Sequence, residues 1–214
     1  MTKVYFFNIN EDFRKSYKFY LSQIPIELRK DILKFRNISD QHRCLVGKLL
    51  VRFALFQEGY GHNVLLNCKR DINNRPYLNE KIDFNISHSG EYVVCAVTNN
   101  GFLGVDIERM DSIKIESLLY LFNESEIEKI NNRLDMFYLL WTQKEALSKA
   151  IGKGLVVNLK DILIEDGIGF YGNSFWNLKS FDIKENYMCH MAYKDNFEPE
   201  FKEIFNSDLI LKNL

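Results

Sequence analysis

The spacing of apolar residues changes along the 214-residue chain, and this change predicts a mixture of helices and strands. Apolar side chains recur at helical spacing over Ser39–Gln57 and Phe137–Ile151, and a Gly-x-Gly sequence follows each stretch. Asn123 and Glu126 have the spacing of a capping box, which predicts another helix from about Glu124. These patterns predict two long helices, with a shorter helix ahead of the second.

Short runs of β-branched and aromatic residues predict strands around these helices. The runs are Val4–Ile9, Phe84–Ile86, Tyr92–Thr98, Gly104–Glu108, Ile162–Glu165, Phe175–Ile183 and Tyr187–Tyr193. Turn sequences separate the three central runs, so we expect those runs to form an antiparallel meander. A helix followed by strands thus occurs twice, which is compatible with two related α+β halves meeting near residue 100.

Composition and charge limit the classes of function. The formal net charge of -1 leaves no global basic field, which argues against nucleic-acid binding and requires any anion site to come from a local cluster. The sequence contains neither the apolar run of a signal peptide nor a membrane-spanning stretch, so we expect a cytoplasmic protein that enters no membrane. The cysteines are widely spaced and have neither a metal-ligand pattern nor the density of a disulfide framework.

The sequence GVDIER at 104–109 places two acids on one face of a strand. Because successive side chains of a strand point to opposite faces, Asp106 and Glu108 project together. On the second long helix, Glu145 and Lys149 lie four residues apart and so share one stripe. Carboxylates suit a hard cation such as Mg²⁺, and adjacent lysines indicate a phosphate-bearing substrate.

Each candidate residue also has a simpler structural interpretation. Glu145 and Lys149 could form an ordinary surface ion pair worth about 0.3–0.5 kcal/mol. A lone histidine such as His88 is usually a hydrogen-bonded structural residue, and arginines such as Arg43 and Arg75 are usually solvated. The combination of several acids and lysines in one pattern favours the functional interpretation.

Five ordered motifs resemble those of the phosphopantetheinyl transferases, in particular the long, surfactin-synthetase-activating type. They are RCLVGKLLVR at 43–52, NRP at 74–76, FNISHSG at 84–90, GVDIE at 104–108 and WTQKEALSKAIGKGL at 141–155. The resemblance implies a Mg²⁺-dependent enzyme, a holo-[acyl-carrier-protein] synthase. Such an enzyme moves 4'-phosphopantetheine from coenzyme A to a serine of an apo acyl or peptidyl carrier protein and releases adenosine 3',5'-bisphosphate.

The resemblance also implies the architecture of the protein. It predicts a monomer with a pseudo-twofold α+β fold, in which two similar halves enclose the active site at their interface. The halves are expected at 1–100 and 101–214, and the second half carries most of the metal ligands.

The resemblance further implies a role for each candidate residue. The resemblance supports Asp106, Glu108 and Glu145 as the metal ligands. Glu145 is also our candidate for the general base toward the carrier serine, because its helix can reach the open side of the metal. Whether its ligand role or its base role dominates stays open. Lys149 is the second implied catalytic residue, in contact with the pyrophosphate, and Lys144 flanks the substrate or the carrier helix. The implied ligands of coenzyme A are Arg43, Arg75, Ser87, His88, Lys144 and Lys149.

The chain departs from the family pattern at several positions. Arg75 stands where relatives usually carry a lysine before proline, which keeps the charge but alters the donor geometry. Leu28 and Asp31 align with basic residues that relatives aim at the 3'-phosphate, and Cys44 replaces a residue that often carries a hydroxyl. We therefore do not assign the residues of the 3'-phosphate subsite.

Two other functions use the same residues. A non-catalytic module that binds coenzyme A or a carrier protein is one, and a Mg²⁺-dependent phosphohydrolase with water as the nucleophile is the other. The apolar segment Met110–Phe122 has two interpretations as well: it docks the carrier helix, or it is buried in the core.

Overall fold

The computed structural model describes residues 1–78, 81–153, 157–194 and 198–210. Its strands are β1 (Thr2–Asn8), β2 (Lys69–Arg70), β3 (Pro76–Tyr77), β4 (Asp83–Ser89), β5 (Tyr92–Thr98), β6 (Gly104–Arg109), β7 (Leu163–Glu165), β8 (Ile168–Tyr171), β9 (Ser174–Ser180), β10 (Tyr187–Tyr193) and β11 (Glu200–Glu203). Its α-helices are α1 (Glu11–Lys15), α2 (Tyr17–Ser22), α3 (Ile26–Leu33), α4 (Ile38–Gln57), α5 (Glu124–Ile130) and α6 (Leu134–Ile151). Among these described helices, none has the length and apolarity needed to cross a membrane.

The order of strands around each long helix is the same in both halves of the chain. In the first half, β1 precedes α4 and pairs antiparallel with β5, which in turn pairs antiparallel with β4. In the second half, β6 precedes α6 and pairs antiparallel with β10, which pairs antiparallel with β9. This repeat confirms the predicted α+β fold with an internal duplication.

The two sheets pack face to face between the two long helices. Because side chains alternate along β5, Val93 and Cys95 join a buried cluster with α4, whereas Val94 and Ala96 pack against Val105 of the second sheet. Helix α6 covers the opposite face of the second sheet through its contacts with β6 and β10. The resulting layers are α4, the first sheet, the second sheet and α6.

The two long helices confirm the sequence pattern. The start of the short helix α5 and the end of α6 confirm it as well. The structure contains the capping box, in which the Asn123 side chain accepts from the Glu126 N–H and the Glu126 carboxylate accepts from the Asn123 N–H. Gly152 ends α6 in the left-handed conformation, with φ of 73°. Gly154, the second glycine predicted there, lies outside the described residues.

The structure differs from the predicted strands in one pairing and in several added strands, since β2, β3 and β8 lie outside the predicted runs. The predicted meander is wrong for its third strand, because both edges of β5 are already paired, to β1 and β4, and β6 joins the second sheet. Strand β11, which was not predicted, pairs parallel with β1. Residues 200–203 therefore belong to the first sheet, although the predicted second half, 101–214, contains them.

The structure contradicts the predicted contact of Lys144 with the coenzyme or the carrier. Its fully buried ammonium donates to the carbonyls of Leu159 and Ile162, at 2.7 and 2.8 Å, and pairs with Glu126 at 2.8 Å. These contacts use all three N–H donors of the ammonium. Since Glu126 is also the capping-box residue of α5, the ion pair joins α5 to α6.

Gly104 lies where α6 crosses β6. A Cβ atom at this position would lie 2.1 Å from the carbonyl oxygen of Ala146 and 2.4 Å from the backbone nitrogen of Ala150. The backbone of α6 thus approaches β6 more closely than any residue with a side chain permits. The approach brings Lys149 of α6 within reach of Asp106 of β6.

We predict that Gly104→Ala lowers the free energy of unfolding by about 1–3 kcal/mol, because the added methyl group meets the backbone of α6 rather than a movable side chain. Urea denaturation measures the effect. Gly61→Ala is the control, since a Cβ atom at Gly61 would have no described neighbour within 4 Å. An equal loss in both variants would contradict the close approach.

We predict that Lys144→Met lowers the free energy of unfolding by about 3–5 kcal/mol, because it leaves the buried Glu126 carboxylate without its cation. Adding Glu126→Gln should restore part of the loss, since the remaining charge is removed. Thermal and urea denaturation provide the measurement. A stable Lys144→Met protein with a raised KM for a substrate would instead support the predicted contact of Lys144 with that substrate.

Candidate active site

Side chains of β4 bind the backbone of β6 and so join the two sheets. The bonds run from Leu103 N–H to Asp83 (2.9 Å), from Val105 N–H to Asn85 (3.0 Å), from Ile107 N–H to Ser87 (3.3 Å) and from Arg109 N–H to Ser89 (3.0 Å). Every pair is separated by 20 residues, so the two strands run parallel. We call this set the side-chain ladder.

The two serines of the side-chain ladder also orient the acids of β6. Ser87 Oγ donates to Asp106 Oδ1 at 2.9 Å, and Ser89 Oγ donates to Glu108 Oε2 at 2.8 Å. Each hydroxyl therefore accepts from one N–H of β6 and donates to the preceding carboxylate. The alternation of side chains predicted that Asp106 and Glu108 share a face, and the serines show what holds them there.

Lys149 of α6 lies directly against Asp106. Its ammonium donates to Asp106 Oδ1 at 2.6 Å, to Ser87 Oγ at 3.1 Å and to the carbonyl oxygen of Val105 at 3.1 Å. The ammonium thus pairs with the carboxylate of Asp106 and also donates a hydrogen bond to the backbone of β6. Lys149 is not paired with Glu145 in the described salt bridges, so the predicted surface pair of these two residues is not what the structure contains.

A buried histidine fixes the face of α6 that carries Glu145. His190 lies opposite Asp106 in the β6–β10 register, and its Nδ1 is 2.7 Å from the hydroxyl of Thr142. Burial lowers the pKa of His190 to about 4, so the ring is neutral near pH 7. This neutral hydrogen bond holds α6 on the second sheet three residues before Glu145.

The predicted metal ligands line one cavity between the halves, which we call the acidic cavity. It has a volume of about 330 Å³. Its lining residues are Ile86, Ser87, His88, Asp106, Glu108, Trp141, Glu145 and Lys149. The structure therefore brings together residues of β4, β6 and α6 that are up to about 60 positions apart in the sequence.

Two larger cavities adjoin the acidic cavity and share lining residues with it. The basic cavity, of about 360 Å³, shares Ile86 and His88. It is lined by the cations Arg43, Lys48, Lys69 and Arg70, and also by the acids Asp40 and Asp31, which pair with Arg43 and Lys48. The amide cavity, of about 550 Å³, shares Trp141, Glu145 and Lys149 and is lined by Asn73, Asn74, Asn85 and Asn158. Together the three cavities form a groove that crosses from one half of the protein to the other.

In the acidic cavity, burial and neighbouring acids disfavour the charged forms of Glu108 and Glu145. Burial raises the pKa of Glu145, the charges of Asp106 and Glu108 raise it further, and Lys149 partly opposes them. Burial likewise raises the pKa of Glu108, where the hydrogen bond from Ser89 acts in the opposite direction. A cation among these carboxylates would relieve the repulsion that raises both values.

The acidic cavity offers the carboxylates of Asp106, Glu108 and Glu145 to a divalent cation. In the described part of the chain, no three His, Cys, Asp or Glu side chains converge closely enough to hold a metal ion. Asp106 Oδ2 is nevertheless buried without a hydrogen-bond partner, which is a costly state for a carboxylate oxygen. The carboxylates are the ligand type that Mg²⁺ prefers, so the residues present fit this ion in chemistry.

The predicted coenzyme ligands Arg43, His88 and Arg75 all line this groove, but they differ in their bonds to protein groups. Arg43 lines the basic cavity, pairs with Asp40 at 2.5 Å and donates to the carbonyl oxygen of Gly90 at 3.1 Å. The surrounding protein and the charges of Arg43 and Lys149 lower the pKa of His88, which lines both the basic and the acidic cavity. Arg75 lines the amide cavity, but its guanidinium is bonded to protein groups.

The segment Met110–Phe122 is divided between the two predicted interpretations. Ile115 and Phe122 are buried in a cluster with α6, and Leu118 and Leu119 pack against that cluster. Tyr120, in contrast, is 67% exposed. Most of the apolar stripe therefore belongs to the core, as the structural alternative expected.

Sequence reasoning missed several residues that shape the site. The sequence motifs contain Ser89 and Gly104 but do not indicate the contacts that these two residues make. No sequence pattern singles out Thr142 or His190. One signal for Ser89 was present, because Asn85, Ser87 and Ser89 alternate on one face of a strand whose surroundings are apolar. The other contacts join residues far apart in the sequence and leave no local signal.

Comparisons with known proteins agree with this geometry. A family model described as "4'-phosphopantetheinyl transferase, N-terminal" matches residues 11–100, and a model described as "4'-phosphopantetheinyl transferase superfamily" matches residues 102–191. The two matches follow one another along the chain, as the repeated strand order does in the fold.

Curated relatives extend over most of the chain. The 4'-phosphopantetheinyl transferase gsp of Aneurinibacillus migulanus is 32% identical over 206 residues, which cover 91% of this chain and 78% of the relative. A 4'-phosphopantetheinyl transferase of Bacillus subtilis is 33% identical over 196 residues, which cover 88% and 79%. The 4'-phosphopantetheinyl transferase Sfp of Bacillus subtilis strain 168 is 31% identical over 147 residues, 65% of each chain. These matches confirm the predicted resemblance, and the chain belongs to the 4'-phosphopantetheinyl transferase superfamily of enzymes.

Proposed function

We propose that the protein transfers 4'-phosphopantetheine from coenzyme A to a serine hydroxyl of an apo acyl or peptidyl carrier protein. The observation that carries the proposal is the acidic cavity, in which Asp106, Glu108, Glu145 and Lys149 meet between the halves. Family membership supports the same reaction. A non-catalytic module would have no use for three clustered acids, two of which have a pKa raised by burial and further by the charges of their neighbours.

The groove matches coenzyme A in order and in chemistry. The basic cavity supplies cations for the phosphorylated nucleotide, and its apolar residues, among them the exposed Phe35, supply a surface for the base. The acidic cavity takes the diphosphate, and the amide cavity offers asparagine side chains to the amide groups of pantetheine. His88 then lies where the nucleotide meets the diphosphate.

We propose that Asp106, Glu108 and Glu145 hold Mg²⁺. The ion supplies neutralisation of the diphosphate charge when it is bound. Support comes from the unpartnered Oδ2 of Asp106 and from the mutual repulsion of the acids. Ser87 and Ser89 keep Asp106 and Glu108 oriented whether or not the ion is present.

Glu145 is the proposed general base. It takes the proton of the carrier serine, directly or through a water molecule, as the serine oxygen attacks the phosphorus next to pantetheine. The bond from this phosphorus to the bridging oxygen breaks, and adenosine 3',5'-bisphosphate leaves with the electron pair. Burial raises the pKa of Glu145 when no ion is bound, and a direct role as base requires a carboxylate oxygen that Mg²⁺ does not occupy.

Lys149 is proposed to stabilise the charge that develops on the leaving bisphosphate. Its three present contacts use all three donors of the ammonium, so a contact with a phosphate oxygen must replace one of them. Ser87 is similarly occupied on both sides. We therefore propose that Ser87 acts chiefly by orienting Asp106. The proposed coenzyme ligands are then Arg43 on α4 and His88 on β4.

The remaining parts of the proposal concern state and location. We propose a monomer, since one chain supplies both walls of the groove. The four free cysteines support the cytoplasm as its location, because reduced thiols are typical of that compartment. The exposed Tyr120, close to Leu121 at the rim of the amide cavity, is a proposed contact for the carrier.

We predict that the protein adds phosphopantetheine to an apo carrier domain in the presence of coenzyme A and Mg²⁺. Intact-protein mass spectrometry of the carrier measures the transfer. Glu145→Gln should lower kcat by about 100-fold or more, because it removes the proton acceptor while keeping the shape of the side chain. Release of bisphosphate in the absence of a carrier would favour the phosphohydrolase, and full activity of Glu145→Gln would contradict the proposed roles of Glu145.

We predict a pH-dependent stability difference between the protein in EDTA and Glu145→Gln. The folded-state pKa of Glu145 is raised, so its neutral form favours folding below the ordinary glutamate range. That contribution is lost as pH rises through the raised value, and the variant should become the more stable of the two. Melting temperatures measured across pH 4–8 test this.

Addition of MgCl₂ provides the second half of the same test. Above the raised pKa, Mg²⁺ should raise the melting temperature of the wild type and have little effect on Glu145→Gln, since the variant lacks one ligand. Equal responses of both proteins to MgCl₂ would count against metal binding by Glu145.

A further inference from the structure

We infer that Arg75 is a positioning residue that clamps the two halves together at the end of α6, rather than a ligand of coenzyme phosphates. For its kinetic consequences the inference rests on the proposed function. Its structural basis is independent of any reaction. It concerns a predicted coenzyme ligand whose described guanidinium bonds lead to segments of the protein that carry the site.

The guanidinium of Arg75 makes bonds to three separate segments. Nη2 donates to Asp83 Oδ2 at 2.7 Å and to the carbonyl oxygen of Leu103 at 2.8 Å, and Nη1 donates to the carbonyl oxygen of Lys149. Asp83 Oδ2 also accepts from the N–H of Leu103 at 2.9 Å. Arg75, Asp83 and Leu103 thus form a closed set of hydrogen bonds.

These acceptors lie at the points where the site is assembled. Asp83 begins β4 and is the first member of the side-chain ladder, while Leu103 precedes β6 at the junction of the halves. Lys149 lies in the last turn of α6, and its carbonyl oxygen accepts from the N–H of Gly152 as well as from Arg75. A cation beside this helix end is also favoured by the helix dipole.

The loop that precedes β3 supports the same contact. Asn73 donates from Nδ2 to the carbonyl oxygen of Gly152 at 3.1 Å, one turn beyond the contact made by Arg75. Asp71 in turn accepts from the N–H groups of Asn73 and Arg75, at 2.8 and 2.9 Å, which fixes the shape of the loop. The β2–β3 hairpin of the first half therefore caps the last helix turn of the site.

The burial of Arg75 fits a clamp better than a phosphate ligand. Its side chain is 12% exposed, and that of Asp83 is 11% exposed. A buried carboxylate already neutralises the guanidinium, so a phosphate would have to compete with Asp83 for it. The contacts use two different nitrogens, Nη1 toward Lys149 and Nη2 toward Asp83 and Leu103, whereas a lysine has only one nitrogen to place there.

The clamp acts on catalysis through Lys149. Arg75 holds the backbone of Lys149, and the ammonium of the same residue donates to Asp106. Release of the clamp would let the end of α6 move relative to β6, and small displacements of a catalytic group are costly. The expected defect is therefore in turnover rather than in coenzyme binding.

The kinetic test compares Arg75→Lys with Asp83→Asn. We expect each to lower kcat by about tenfold or more and to change the KM for coenzyme A by less than about twofold. Asp83 is absent from the described linings of all three cavities, so a phosphate role of Arg75 predicts no kinetic effect of Asp83→Asn. A raised KM in an Arg75→Ala variant, with rescue by Arg75→Lys and full activity of Asp83→Asn, would overturn the inference.

A thermal double-mutant cycle tests the clamp without any turnover. Arg75→Lys and Asp83→Asn should each lower the melting temperature by several degrees, and the double variant should lose much less than the sum. The exposed pair Arg133–Asp135, at 2.6 Å, is the matched control, and its Arg133→Lys and Asp135→Asn variants should show almost no coupling. Additive losses at Arg75 and Asp83 would overturn the clamp.

The two tests separate the inference from the proposed function. If the wild type modifies no carrier while the thermal cycle shows coupling, the proposed function fails and the clamp stands. If the wild type is active and the cycle is additive, the clamp fails and the proposed function stands.

Discussion

The hydrogen bonds between the side chains of β4 and the backbone of β6 are the interaction on which the rest of the site depends. They connect two sheets whose described strands share no backbone ladder, and they do so in parallel with a constant offset of 20 residues. The same serine hydroxyls that accept from β6 donate to Asp106 and Glu108. One set of contacts therefore determines both how the halves meet and how the acids are presented.

Such a site places like charges close together, and the surrounding structure balances the cost. Lys149 neutralises Asp106, while burial and mutual repulsion raise the pKa of Glu108 and Glu145. The helix that carries Glu145 cannot drift away from these charges, because Gly104 allows its backbone against β6 and the His190–Thr142 hydrogen bond holds its buried face. Rigid support of this kind keeps repelling groups at a fixed separation.

The internal duplication explains why the groove lies between the halves. Each half is a long helix on a sheet in which three strands pair antiparallel in the same order, and the two sheets face each other. The second half supplies the three acids and Lys149, whereas the first supplies the side-chain ladder and the cations of the basic cavity. Equivalent frameworks have thus taken complementary roles in a single chain.

The sequence by itself determined the long helices, most strands, the capping box and the shared face of Asp106 and Glu108, because periodicity and capping are local properties. Its motifs also indicated the family and the set of acids. Only the tertiary structure decided that β6 leaves the meander, that Lys144 is buried against Glu126 and that Arg75 contacts Lys149. Those outcomes depend on partners 18 to 88 residues away, and a side chain's spacing along the chain shows which way it faces but not what it meets there.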